Sequence, residues 1–128
     1  MSKQKFETVY VAGRITPKCL TSTNPAIDFL HNISRMIRAG NQAFLAGFDP
    51  FVPALDHQMF MQLQDGERIT EPMIKRYSKR WQSKCDCMLL TPGWKDSPGT
   101  VKEIEYAKKL NQPVFETLAD LIKANEEE

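Results

Sequence analysis

Residues 85–107, CDCMLLTPGWKDSPGTVKEIEYA, decide the predicted fold of the chain. A short apolar run comes first, a loop with two prolines and two glycines follows, and a pattern of helical period closes the stretch. This order predicts a strand, a loop and a helix. In an open α/β sheet, ligands bind outside the carboxyl ends of the strands, where such loops lead into helix N-termini with free N–H groups. We therefore expect the functional site near this loop.

Glu103 is the residue of the predicted helix that most needs an explanation. At about 100° per residue it falls on the apolar side of the helix, together with Thr100 and Ala107. Thr100 and Glu103 also have the spacing of a capping box, in which each side chain satisfies a free backbone N–H. Because capping boxes are far commoner than catalytic glutamates, the spacing alone favours a cap. The alternative is that the Glu103 carboxylate has a functional role.

The composition is that of one soluble globular domain spanning residues 1–128. The chain is 41% hydrophobic and 26% charged, and its formal net charge is +1. That balance argues against a nucleic-acid polymer as partner, but it allows a small phosphorylated ligand. No apolar run is long enough to span a bilayer, and the N-terminus MSKQKFET lacks the apolar core of a signal peptide. We expect a cytoplasmic protein without a membrane partner.

The cysteines and histidines are too few for a structural zinc site. Cys19, Cys85 and Cys87 are three in number, and the two histidines lie far from them in sequence. Free cysteine is often buried and inert, so we expect buried, reduced thiols. We predict no metal and no other cofactor.

Strand patterns alternate with helix patterns along the rest of the chain. Residues 8–12, TVYVA, predict a central strand covered on both faces, because they are almost continuously apolar and rich in β-branched residues. Alternation of this kind indicates a parallel sheet with helices on both faces, in a small flavodoxin-like or Rossmann-like α/β domain. Neither G-x-G-x-x-G nor a P-loop is present, which argues against a classical NAD dehydrogenase or a P-loop NTPase. The other strands are predicted at 48–52, 85–90 and 112–115, and the helices at 25–47, from 71 onward, at 100–110 and at 117–125.

Two further loops carry candidate ligand-binding groups. Gly13 and Arg14 follow the first strand, where they either hold a ligand phosphate or form a surface turn. Asp56 and His57 leave the second strand, where they either contact a ligand or begin a helix. Spacing does not decide between these alternatives. The apolar stripe predicted for the first helix consists of Ile27, Leu30, Ile33, Ile37, Phe44 and Leu45.

Two short motifs in the chain can be compared with known families. The first is VYVAG at residues 9–13. The second and more specific motif consists of Asp86, Ser97, Gly99, Glu103 and Ala107. Together they resemble the nucleoside 2-deoxyribosyltransferase superfamily. The resemblance extends in outline from residue 8 to about residue 115, and it is closest to small bacterial and phage members and to the 2′-deoxynucleoside 5′-monophosphate N-hydrolases.

The resemblance implies that Glu103 is a nucleophile attacking the anomeric carbon of a sugar. A carboxylate can stabilise the oxocarbenium-like centre left by the departing base and trap it as a glycosyl ester. The transferases usually have an aspartate at the position of Ser97, whereas the monophosphate hydrolases have a serine. Ser97 therefore implies a 5′-phosphate, held beside the N–H groups of Gly99 and Thr100, with Arg14 as a second contact.

One departure from the family concerns protonation of the leaving base. Family enzymes generally have an aspartate on the helix before the third strand, but no carboxylate lies between Glu71 and Asp86 here. Asp86 opens the third strand and is either catalytic or structural. The other candidates for acid assistance are Tyr77, Asp56, His57 and a neighbouring subunit.

The sequence thus predicts an N-glycosidase that cleaves the base–sugar bond of a small-molecule (deoxy)nucleoside 5′-monophosphate. The alternatives are a non-catalytic nucleotide-binding or sensing module and a nucleoside deoxyribosyltransferase. Tyr10 and Trp94 offer rings on which a base could stack. Trp94 otherwise packs within its loop or contacts a second subunit. The resemblance also implies a homo-oligomer, a dimer or larger, in a bacterial or phage-infected cell.

Overall fold

The computed structural model describes residues 5–13, 25–55 and 59–126, which form a parallel sheet flanked by helices. The order of the four strands in this sheet is β2-β1-β3-β4. This confirms the predicted small flavodoxin-like or Rossmann-like α/β fold. The strands are β1 (Thr8–Ala12), β2 (Asp49–Phe51), β3 (Cys87–Leu90) and β4 (Val114–Phe115). The helices are α1 (Pro25–Leu45), α2 (Glu71–Lys84), α3 (Pro98–Lys109) and α4 (Leu118–Glu126).

Strand β1 is central, as its sequence predicts. It pairs with β2 on one side and with β3 on the other, so that Tyr10 lies opposite both Phe51 and Met88. Successive side chains of a strand point to opposite faces of the sheet. Val9 and Val11 therefore enter one core, while Tyr10 enters the other.

The two faces of the sheet are covered by different pairs of helices. On the face of Val9 and Val11, the core includes Met36 and Ala43 of α1 and Leu121 of α4. On the face of Tyr10, Ala107 of α3 is buried and the side chains of α2 and α3 close over the sheet. The sheet thus presents Tyr10 to the layer formed by α2 and α3.

The predicted apolar stripe of α1 is buried only in its middle. Ile33 is buried and Ile37 is partly buried, but Leu30 and Phe44 are 62% and 66% exposed. The buried side of α1 instead runs through Ile33, Met36 and Ala43. The helix is therefore rotated about its axis relative to the predicted stripe, so that Phe44 points to solvent although Ala43 beside it is fully buried. The prediction is wrong for Ile27, Leu30, Phe44 and Leu45.

Gly40 lies within α1 without interrupting the helix. The helix is continuous through this position, and a Cβ atom on Gly40 would lie 2.5 Å from Cγ2 of Val52. Gly40 thus permits a close approach between α1 and the end of β2. None of the helices described here is long and apolar enough to cross a membrane.

Candidate functional site

The centre of the candidate site is a hydrogen bond between β1 and α3. The hydroxyl of Tyr10 donates to Oε2 of Glu103 at 2.5 Å. Tyr10 is only 1% exposed, in the middle of the central strand, and Glu103 is half-buried. The sheet and the helix together hold one oxygen of this carboxylate in place.

Glu103 does not cap its helix, so the capping-box interpretation is wrong. Helix α3 begins at Pro98, and its N-cap is Ser97, whose Oγ accepts a hydrogen bond from the Thr100 N–H at 3.3 Å. Proline is favoured in the first turn because it has no N–H to satisfy and its φ angle suits a helix. The helix therefore starts earlier than predicted, and Glu103 lies in its second turn.

Burial raises the pKa of both members of the pair. The pKa of the Glu103 carboxyl lies above its usual value because the group is removed from water, and the hydrogen bond from Tyr10 opposes this effect. Burial also raises the pKa of the Tyr10 phenol, with a further contribution from the charge of Glu103, while a hydrogen bond with Ser78 opposes the rise. Tyr10 therefore keeps its proton at neutral pH and acts as the donor.

A cluster of aromatic rings fixes the orientation of Tyr10. Its ring stacks on Phe51, with centroids 5.8 Å apart, and Phe51 stacks on Trp81 at 5.3 Å. Tyr77, a predicted catalytic residue, lies beside Phe51 at 6.2 Å and beside Trp81 at 6.5 Å. The structure thus brings Tyr77 to the neighbourhood of Tyr10, with the Phe51 ring in contact with both.

Gln82 is a residue of this site that sequence reasoning missed. It is fully buried, and its Nε2 donates to the backbone carbonyl of Glu103 at 2.8 Å. Nε2 also contacts Oε1 of Gln112 at 3.3 Å, while Nε2 of Gln112 donates to the carbonyl of Gln82 at 2.8 Å. This amide pair fixes α3 against the end of α2. No sequence signal identifies it, because glutamine in a helix is usually a surface residue.

Some polar groups of the loop predicted to hold a phosphate already form hydrogen bonds within the loop. Thr100 is buried, and its hydroxyl donates to Ser97 Oγ at 2.9 Å, so both the N–H and the hydroxyl of Thr100 are used. Gly99 is different. A Cβ atom there would meet nothing within 4 Å, and an N–H in the first turn has no acceptor within its own helix. The groups that this loop can offer to a ligand are the Ser97 hydroxyl and the Gly99 N–H.

Gly13 has a packing role at the carboxyl ends of the two central strands. A Cβ atom at this position would lie 1.7 Å from Oγ1 of Thr91. Thr91 in turn donates from its backbone N–H and its hydroxyl to the carbonyl of Ala12, at 3.0 and 3.3 Å. The glycine therefore lets β1 and the residue after β3 come close together.

Asp86 lies at the amino-terminal edge of the sheet. Its Oδ2 accepts hydrogen bonds from the N–H groups of Glu7 and Thr8, at 2.8 and 3.1 Å. Its own N–H donates to the carbonyl of Thr8 at 3.0 Å. These bonds join the start of β1 to the start of β3, so the structure does not bring Asp86 together with Tyr10 and Glu103.

Trp94 packs within its loop, and it is half-buried in the short turn Trp94–Asp96 against the core that contains Tyr10. Lys95 Nζ lies 5.7 Å from the centroid of the Trp94 ring. Arg14, Asp56 and His57, which were predicted to bind ligand, lie outside the described residues.

The two cysteines within the described residues are free thiols. Burial, and secondarily the charge of Asp86, raises the pKa of Cys85 to about 11 and that of Cys87 to about 12. Neither is a ready nucleophile at neutral pH, since the thiolate is the reactive form. Across residues 5–13, 25–55 and 59–126, no group of three His, Cys, Asp or Glu side chains could hold a metal ion.

The fold and the site define the class of this protein: a small parallel α/β domain in which a central-strand tyrosine binds a half-buried helix glutamate. The chain belongs to the family described as Domain of unknown function (DUF4406), whose model matches residues 7–116. The match includes Tyr10, Glu103 and all four described strands. No curated protein matches the chain significantly.

Proposed function

We propose that the protein is an N-glycosidase that cleaves the base–sugar bond of a (deoxy)nucleoside 5′-monophosphate, with Glu103 as the nucleophile. The observation that carries the proposal is the hydrogen bond of 2.5 Å from Tyr10 to Glu103. A carboxylate that attacks an anomeric carbon must be held still and partly shielded from water. The resemblance to the nucleoside 2-deoxyribosyltransferase superfamily at Glu103 and Ser97 supports the same chemistry.

The reaction has two steps. In the first, Oε1 of Glu103, the oxygen that Tyr10 does not bind, attacks the anomeric carbon. The electron pair of the C–N bond leaves with the base, which takes up a proton from solvent, and a glycosyl ester remains. In the second step water attacks the anomeric carbon and gives up a proton to solvent, and the C–O bond to Glu103 breaks. This step releases the sugar phosphate and restores the carboxylate. Tyr10 keeps its proton throughout and orients Glu103.

The start of α3 is the proposed site for the 5′-phosphate. The Ser97 hydroxyl and the Gly99 N–H supply hydrogen bonds, and the positive end of the helix dipole favours an anion. Thr100 contributes indirectly, because its two donors fix the position of Ser97 Oγ.

Base release from a panel of nucleotides tests the proposal. Purified protein is incubated with the deoxynucleoside 5′-monophosphates, the ribonucleotides and the free nucleosides, and free base is measured by chromatography. We expect base from one or more monophosphates, and none from the Glu103→Gln variant. Glu105→Gln, which changes an exposed carboxylate on the same helix, is the matched control. Absence of base from every compound, or full turnover by Glu103→Gln, would contradict the proposal.

Ser97→Asp tests the phosphate contact without removing the cap. Aspartate is as good an N-cap as serine, so α3 should remain folded. Its charge repels a 5′-phosphate, and we expect the KM for the monophosphate to rise while free nucleosides are affected less. Equal effects on both substrates would contradict a phosphate at Ser97. Base exchange between two nucleosides would instead indicate a transferase.

A non-catalytic nucleotide-binding module is the second candidate. It is favoured by the position of Asp86, whose carboxylate binds the N–H groups of Glu7 and Thr8 and is not at the site to protonate a leaving base. A nucleotide that raises the melting temperature and is recovered unchanged would support this function. Release of base in the same incubation would exclude it.

A further inference from the structure

A groove on the outer side of α2 and α3 is lined mainly by positively charged side chains. Its volume is about 480 Å³, within the range of small-molecule sites. Tyr10 and Glu103 do not line it, because Tyr10 lies in β1 and Glu103 is on the side of α3 that faces Tyr10. We call it the α2–α3 groove. Its lining includes Lys75, Arg76, Lys79, Arg80, Ser83 and Tyr106.

The positive charges of the α2–α3 groove are largely unneutralised. Within the part of the chain that the structure describes, Lys75 forms a salt bridge with Glu71, at 3.2 Å, and both side chains are mostly exposed. No carboxylate of the described residues forms a salt bridge with Arg76, Lys79 or Arg80. The net charge of the whole chain is only +1, so this concentration of charge is local. Such a concentration attracts anions to one face of the molecule.

The spacing of the cations suits more than one phosphate. Lys75 and Arg76 lie one turn before Lys79 and Arg80, a separation of about 6 Å along the helix axis. The four cations carry a charge of +4, whereas one phosphate carries at most about two negative charges, so consecutive phosphates can neutralise the groove more fully. The arginine guanidinium groups favour phosphate oxygens, which they can bind through two parallel hydrogen bonds. Tyr106 adds an aromatic ring, with Lys79 Nζ 5.5 Å from its centroid.

We propose that the α2–α3 groove binds an anion with two or more consecutive phosphate groups. The phosphates come either from a free polyphosphorylated compound or from a single strand of nucleic acid, since both present the same chemistry to the groove. The proposal does not rest on glycosidase activity. It concerns residues on the outer face of α2, apart from the Tyr10–Glu103 pair.

Calorimetric titration with three probes tests the proposal. Inorganic tripolyphosphate and a single-stranded oligothymidylate carry consecutive phosphates, whereas orthophosphate carries one. We expect tripolyphosphate or the oligonucleotide to bind more tightly than orthophosphate, with an affinity that falls as salt is raised. The tighter of the two identifies the source of the phosphates. Tripolyphosphate has no glycosidic bond, so its binding is independent of any reaction at Glu103.

A matched pair of double variants separates a site from a general charge effect. Arg76→Ala with Arg80→Ala removes two arginines from the groove, whereas Arg35→Ala with Arg38→Ala removes two exposed arginines of α1 on the other face of the sheet. We expect the groove variant to bind at least about tenfold more weakly, since hydrogen bonds to charged groups are strong, and the α1 variant to be unchanged. Thermal melting confirms that both variants fold.

Three results would overturn the proposal. The first is no binding of tripolyphosphate or oligothymidylate by the natural protein. The second is an equal loss of affinity in the two double variants, which would indicate net charge alone. The third is equally tight binding of polyglutamate, which would indicate an acidic protein segment as the occupant.

Discussion

Replacement of Tyr10 by phenylalanine removes the hydrogen bond at the centre of the site, together with the hydrogen bond between Tyr10 and Ser78. The ring, which is 1% exposed and stacked on Phe51, remains in place, and only the hydroxyl that donates to Glu103 is lost. The structure therefore predicts a change in the carboxylate with little change in the core. The variant tests whether Tyr10 orients the nucleophile.

The size of the effect follows from the kind of bond that is lost. A hydrogen bond to a charged group contributes about 1.5–3 kcal/mol, and each 1.4 kcal/mol corresponds to about a tenfold change in rate. We therefore expect kcat/KM for nucleotide cleavage to fall by about 10- to 100-fold in Tyr10→Phe. The fall should be mainly in kcat, because the phenol contacts Glu103, the proposed nucleophile, and not the proposed phosphate site.

The pH dependence gives a second measure with a definite sign. In the proposed mechanism the ionised form of Glu103 is the active form, so activity should be lost as pH falls through its pKa. The hydrogen bond from Tyr10 lowers that pKa, and its removal should shift the acidic limb of the kcat/KM profile to higher pH.

The raised pKa of Glu103 in the folded state also makes stability depend on pH. The contribution of this group to the free energy of unfolding is fully present below the unfolded pKa of about 4.3. It is lost as the pH rises through the folded-state pKa.

The assay is initial-rate base release between pH 4 and 9, with urea unfolding of each variant at both ends of the range. Tyr106→Phe removes a hydroxyl one turn along α3 from Glu103 and serves as the control. A Tyr10→Phe protein with an unchanged kcat and an unchanged acidic limb would refute the argument that Tyr10 orients Glu103. So would equal effects of the two substitutions.

Three further substitutions test the packing around the site, each by urea unfolding. Gly13→Ala should destabilise the fold by about 1–3 kcal/mol, because its Cβ would lie 1.7 Å from Thr91 Oγ1. Adding Thr91→Ala should restore part of the lost stability. An unchanged free energy of unfolding in Gly13→Ala would contradict that close approach. Asp86→Ala should destabilise by about 1–2 kcal/mol but leave kcat unchanged, and a fall in kcat in folded protein would instead support a catalytic Asp86. Gln82→Ala should destabilise by about 2–4 kcal/mol, since it is fully buried and binds the Glu103 carbonyl; a loss under 1 kcal/mol would show that the amide pair is dispensable.

The parts of the fold that the sequence predicts are those set by local periodicity. The almost continuous apolar run at Thr8–Ala12 identifies a strand buried on both faces, and Glu103 falls on the inner side of its helix because the 3.6-residue period fixes its direction. Both features depend only on neighbouring residues. They are confirmed, although each strand except β1 is shorter than predicted.

The partners of Glu103 could not be predicted, because they are distant in sequence. Tyr10 is 93 residues away, and a strand tyrosine that points into the core looks like any other aromatic core residue. Gln82 carries no signal either, since its burial depends on how α2 and α3 pack together. The helix start was missed for a local reason: Ser97-x-x-Thr100 and Thr100-x-x-Glu103 both offer plausible caps, and the position of Pro98 favours the first.

The way in which Glu103 is held argues for function over stability. Ser97 caps the helix, so the Glu103 side chain is not needed as a cap. Instead, Tyr10 donates a hydrogen bond to the Glu103 carboxylate, and Gln82 donates one to its backbone carbonyl. A half-buried carboxylate with a raised pKa makes the fold less stable at neutral pH than a neutral side chain would. A residue that lowers stability and is nevertheless held at its backbone and its side chain is typical of a working group. This arrangement is the strongest physical reason to assign the chemistry to Glu103.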